Sequence, residues 1–115
     1  MIMKALYFIL NDADLLDPLL DELREKAGIK GCTIFDTSGM GRQLAFKVPD
    51  AFSMIFSVKK KTVTHTSSKT LLMVLDDSKI SPVIDVIESV VGSLDEPGSG
   101  ILFTYSLDMV KGIKL

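Results

Sequence analysis

Two glycine pairs hold the residues best suited to handling a ligand. Gly39-Met40-Gly41-Arg42-Gln43 sets two residues without a Cβ beside a guanidinium, so a ligand can approach the backbone closely and meet charge-assisted donors that suit phosphate. Gly98-Ser99-Gly100 is a second such turn, far along the chain. Either one alone reads as a bend or bulge. Without a following helix the first is neither a dinucleotide fingerprint nor a P-loop.

The other reactive side chains form no catalytic set. His65 is the single histidine and stands between Thr64 and Thr66 with no acid or nucleophile partner in the sequence around it. Cys32, the single cysteine, lies in a strand-like run where a small apolar group packs, so it reads as a structural thiol. Asp76-Asp77 stands ahead of a helical pattern and reads as a cap rather than a carboxylate pair for acid and base work. No cluster of soft ligands suggests a metal site, and no nucleophile, base and orienting group suggest an enzyme. Lys59-Lys60-Lys61 reads as a solvated loop, or else as a docking patch for an acidic partner.

The elements that must position the glycine pairs follow from hydrophobic period. Met3–Leu10 is an aromatic and aliphatic run ending in polar Asn11-Asp12-Ala13-Asp14, as a buried strand does. Leu15, Leu16, Leu19, Leu20 and Leu23 fall on one helical face, with Asp21, Glu22, Arg24 and Glu25 on the other. Asp14 or Asp17 is the expected cap, Pro18 sits in the first turn, and Gly28 ends the helix. Residues 31–37 and 70–75 read as two further strands. Ile80, Val83, Ile84, Ile87, Val90, Val91 and Leu94 mark a second amphipathic helix, and residues 101–106 a last strand. Between the second and third strands, residues 39–69 keep no sustained period, and a loop that long in a compact domain implies a function.

The order is strand, helix, strand, long insertion, strand, helix, strand. That order predicts an α+β, ferredoxin-like βαββαβ sandwich, one domain over residues 1–115, with two helices on one face of an antiparallel sheet. The other face needs cover, which self-assembly would supply. At 115 residues, 47% hydrophobic and 24% charged, the chain is large enough for one core and too small for two. A net charge of −2 argues against a nucleic-acid partner. The apolar start is too short to span a bilayer and lacks a cleavage site, so a cytoplasmic protein without membrane insertion is expected; the lone cysteine fits a reducing compartment.

Gly28-Ile29-Lys30-Gly31-Cys32-Thr33-Ile34, continuing to Gly39-Met40-Gly41-Arg42-Gln43, resembles the PII signal-transduction (nitrogen regulatory protein P-II) family, with its G-x-x-G-x-T and G-x-G-R-Q elements. Gly98-Ser99-Gly100-Ile101-Leu102-Phe103 resembles that family's second glycine turn, and Val110 to Lys114 its basic C-terminal segment. The resemblance implies a homotrimer with an adenine nucleotide (ATP, ADP or AMP) in the cleft between subunits. Residues 43–69 would then be the loop that reports ligand state to a target protein. By position, Thr33, Gly39, Gly41, Arg42 and Gln43 would line the nucleotide, Gly98 and Gly100 would offer backbone N–H groups to its phosphates, and Ser99 and Lys114 would also belong to the site.

Three departures bear on that implied site. The family's lysine after the second turn is Ile101 here, its two C-terminal arginines fall at about Gly112 and Lys114, and the insertion holds no tyrosine that could be modified. Loss of two or three charge-assisted contacts, each worth about 1.5–3 kcal/mol, removes on the order of 3–9 kcal/mol of phosphate binding unless something compensates. A ligand with fewer phosphates, substitution by Lys59 to Lys61, or loss of the site would each answer this. The alternatives to a PII-like sensor are a CutA-type ferredoxin-like trimer without a nucleotide site, structural or metal-binding, and a small ferredoxin-like enzyme.

Overall fold

The computed structural model describes residues 1–40 and 68–113. Strands β1 (Met3–Leu10), β2 (Thr33–Thr37), β3 (Ser68–Asp76) and β4 (Gly100–Ser106) form one antiparallel sheet in the order β2-β3-β1-β4, with helices α1 (Leu16–Ala27) and α2 (Ile80–Val91) between them in sequence. This is the ferredoxin-like arrangement expected from the element order. The longest apolar runs, β1 and β3, take the two central positions, where a strand loses both edges to neighbours.

Strand periodicity sorts the side chains. Leu6, Phe8 and Leu10 of β1 and Leu71, Met73 and Leu75 of β3 share one face and are buried with Leu19, Leu23 and Ala27 of α1 and Val83, Val86 and Ile87 of α2. The other face carries Phe35, Leu72, Tyr7, Ile9, Ile101, Phe103 and Tyr105, and no helix among the described residues covers it. Exposure there is 43% for Phe35, 61% for Ile101, 45% for Phe103 and 46% for Tyr105. The Tyr7 ring stacks on Phe103 at 5.1 Å and on Tyr105 at 6.0 Å between centroids. A hydrogen bond with Tyr7 raises the Tyr105 phenol above its ordinary pKa, with desolvation adding to the effect.

The helix ends refine the sequence reading. A 3-10 turn, Ala13–Leu15, precedes α1, so the capping side chain is Asp12, which accepts from the Asp14 N–H at 3.1 Å, rather than Asp14 or Asp17. Gly28 takes a left-handed φ of 67°, and the Ile29 N–H returns to the Leu23 carbonyl at 3.1 Å to close the helix. Asp76 caps as expected, accepting from the Ser78 N–H at 2.9 Å and from the Ser78 hydroxyl. Those bonds hold its carboxyl below the usual carboxylate range. A depressed folded-state pKa means the cap stabilises above the unfolded-state value and is lost as pH falls through the folded one. Asp76→Ala should therefore lower the melting temperature at neutral pH, and its difference from wild type should shrink as pH falls below the ordinary aspartate range and through the folded-state value, read by circular dichroism melts.

Candidate functional site

Strand register places Gly39, two residues past the end of β2, at the same end of the sheet as the turn at residues 98–100. Thr37 pairs with Ser68, Lys69 with Leu10, and Leu10 with Gly100, so the end of β2 and the start of β4 lie level with each other. They nevertheless belong to opposite edges, because β3 and β1 lie between them. Three inter-strand steps of about 4.8 Å separate them by roughly 14 Å. Among the described residues, Gly39 and Gly100 share an end of the sheet but no pocket.

Gly39 lies two residues beyond β2, exposed, with no atom within 4 Å of where its Cβ would be. Gly41, Arg42 and Gln43 lie outside the described residues, as do Lys59 to Lys61, His65, Lys114 and nearly all of the expected loop at 43–69. Thr33 opens β2, two residues later than the expected strand start, and is exposed. It lines a cavity of about 840 Å³ together with Gly31, Cys32, Leu72, Val74 and Lys79, among others. That volume is within the range of small-molecule pockets, and the walls are mostly apolar.

Cys32 stands just ahead of β2, half-buried against the core. Burial pushes its thiol up from the ordinary value, against a smaller opposing effect from the Leu72 backbone, so the thiol is protonated at neutral pH. A protonated thiol is a poor nucleophile, consistent with a structural reading.

The second glycine turn has two distinct reasons for its residues. Gly98 has a φ of 83°, and its carbonyl accepts a hydrogen bond from the Asn11 side chain at 2.9 Å. Gly100 has a φ of 136°, and a Cβ there would sit 2.5 Å from the Ile9 carbonyl oxygen and 2.8 Å from the Phe8 ring. The close approach that requires Gly100 is thus made by β1 itself. Ile101, where the resemblance puts a lysine, is apolar and exposed on the face that no described helix covers, opposite Ile9.

One feature of this end was not visible in the spacing. Thr37 Oγ1 lies 2.9 Å from Ser68 Oγ and 2.8 Å from Thr70 Oγ1, joining the two strands that flank the insertion through side chains. Lys69 pairs with Asp36 across the same two strands. Hydroxyls 31 and 33 positions apart carry no sequence signal until the strand register is known.

Among the described residues no group of three or more His, Cys, Asp or Glu side chains could hold a metal ion. No described helix is long and apolar enough to cross a membrane.

Comparison with known proteins gives a concordant picture. No curated protein gives a significant match. Among solved structures, the Bacillus subtilis GlnK–ATP complex is similar with a TM-score of 0.61 and 18% identity, over 92% of this chain and 82% of that one. Another B. subtilis GlnK structure is similar with a TM-score of 0.53 and 14% identity, over 94% and 87%. At such identity the likeness speaks for the fold. The family model for nitrogen regulatory protein P-II matches residues 3–115, essentially the whole sheet, both helices and both glycine turns, and the chain therefore belongs to the P-II family of nitrogen regulatory proteins.

Proposed function

We propose that the chain is a non-enzymatic regulator that binds a small effector, an adenine nucleotide, in a cleft completed by a second copy of itself. The observation that carries this reading is that the end of β2, which leads to Gly39, and the turn at residues 98–100 lie at one end of the sheet but on opposite edges. A ligand that uses both needs β2 from one copy and β4 from another. The uncovered face with Phe35, Ile101, Phe103 and Tyr105 supports assembly, since an apolar patch of this kind is an interaction surface. The assembly we propose is the homotrimer implied by the family resemblance. Thr33 and its cavity would receive the nucleoside end, and Gly39, Gly41, Arg42 and Gln43 would lead toward the phosphates, with Gly98, Ser99, Gly100 and Lys114 contributed across the cleft. Residues 43–69 would pass ligand state to a target protein, which requires the ligand to favour one state of that segment by differential affinity.

That the similar GlnK structure is a complex with ATP supports an adenine nucleotide as the first ligand to test. The test is a thermal-shift panel of ATP, ADP, AMP, cyclic nucleotides and 2-oxoglutarate, because a ligand that binds only the folded state raises the melting temperature. At least one adenine nucleotide should shift the transition upward; a flat response across the panel contradicts the reading. Arg42→Ala should then weaken nucleotide binding by about 1.5–3 kcal/mol without changing the fold, measured by calorimetry. Ile101→Lys should favour di- and triphosphates over AMP.

A second reading, an assembly with no nucleotide site, draws on two observations. Gly100 is required by β1 whether or not a ligand is present, and Ile101 offers no charge beside it. The same panel separates the two readings.

A further inference from the structure

We infer that Asn11 is a positioning residue for the turn at residues 98–100, fixing the direction of the N–H groups that the turn presents to a ligand phosphate; this rests on the nucleotide reading above. Asn11 follows directly on β1, and its Nδ2 donates to the Gly98 carbonyl at 2.9 Å across 87 positions of sequence. The described peptide bonds are all trans. In a planar trans peptide the C=O and the following N–H point in opposite directions. Holding the Gly98 carbonyl toward Asn11 therefore aims the Ser99 N–H away from Asn11.

The turn needs such a tether. Gly98 and Gly100 have φ values of 83° and 136°, and glycine moves between such conformations and others at little cost, so the peptide between Gly98 and Ser99 is the part free to rotate. Gly100 is already held by its place opposite Leu10 and by the Ile9 carbonyl and Phe8 ring against it. Asn11 supplies the hold at the other end. Donors fixed before the ligand arrives bind it without the loss of freedom that a mobile turn would suffer.

The residue type fits the task. In the run Asn11-Asp12-Ala13-Asp14, Asn11 is the side chain that carries N–H donors at neutral pH, and a carboxylate there would repel the Gly98 carbonyl. Asp12, next to it, is used as the cap of the following turn.

The experiment is calorimetric titration of ATP and of adenosine into wild type, Asn11→Ala and Asn11→Leu, the last keeping the side chain's size without its donor. Both variants should lose about fivefold to tenfold in ATP affinity, because the turn must then be ordered as the phosphate binds, while adenosine affinity stays at the wild-type value and the melting temperature falls only slightly, the lost bond being exposed. On nuclear magnetic resonance spectra, the ATP-induced shifts of the Ser99 and Gly100 amides should shrink in both. A merely structural role would weaken ATP and adenosine alike, and that result overturns the inference. ATP affinity unchanged in the variants overturns it too, while leaving the nucleotide reading intact. Wild type that binds neither ligand sinks both together.

Discussion

Gly100→Ala should destabilise the protein by about 2–5 kcal/mol, the sum expected from a left-handed backbone position and an overpacked contact. The new Cβ would lie 2.5 Å from the Ile9 carbonyl oxygen, and backbone cannot move aside as the end of a flexible side chain can. Nor can the residue relax its own φ of 136° without breaking its pairing with Leu10 at the start of β4. Urea denaturation measures the loss directly as a fall in midpoint at unchanged slope. Gly39→Ala is the control. With nothing within 4 Å of its Cβ and no positive φ, it should change the midpoint very little. Equal midpoints for wild type and Gly100→Ala would show that the strand contact is not what the residue is for.

Phe103→Glu should dissociate the homotrimer proposed above. Phe103 sits near the middle of the uncovered face, stacked on Tyr7 and flanked along β4 by Ile101 and Tyr105. Burying a phenylalanine against a neighbouring copy is worth about 1.5–3 kcal/mol, and each copy contributes one. A carboxylate in its place would also have to lose its water, at several kcal/mol per unpaired charge. Light scattering at low micromolar concentration should give the trimer mass for wild type and the monomer mass for Phe103→Glu, with circular dichroism unchanged because the side chain points away from the core. A wild-type protein that scatters as a monomer would remove the role assigned to this face.

The sequence made the fold legible where burial is periodic. β1 agrees with its apolar run from Met3 to Leu10, and both helices follow stripes of leucine, isoleucine and valine. Boundaries moved where a strand end is defined by its partner. β2 begins at Thr33 because pairing with β3 begins there, opposite Leu72, which leaves Gly31 and Cys32 ahead of the strand. β3 extends back to Ser68 because Thr37 and Asp36 pair with it, although Ser68 and Lys69 break the apolar pattern.

The candidate site was legible in its parts and not in its arrangement. Glycine spacing identified the turn at residues 98–100, but the reason for Gly100 lies in the Ile9 carbonyl, some 90 residues away in sequence and adjacent only after folding. The Asn11 contact with Gly98 and the Thr37, Ser68 and Thr70 hydroxyls are likewise products of register. No local period or composition encodes such pairs. That the end of β2 and the turn at residues 98–100 occupy opposite edges also depends on strand order, which inserts β3 and β1 between them.

The central claim is a nucleotide cleft that exists only between copies. Titrating ATP by calorimetry into wild type and Phe103→Glu side by side tests it most directly. The account predicts saturable binding by assembled wild type and none by the folded Phe103→Glu monomer, since the monomer keeps the end of β2 and the turn at residues 98–100 on separate edges. ATP binding of equal strength by both proteins, or by neither, would contradict it.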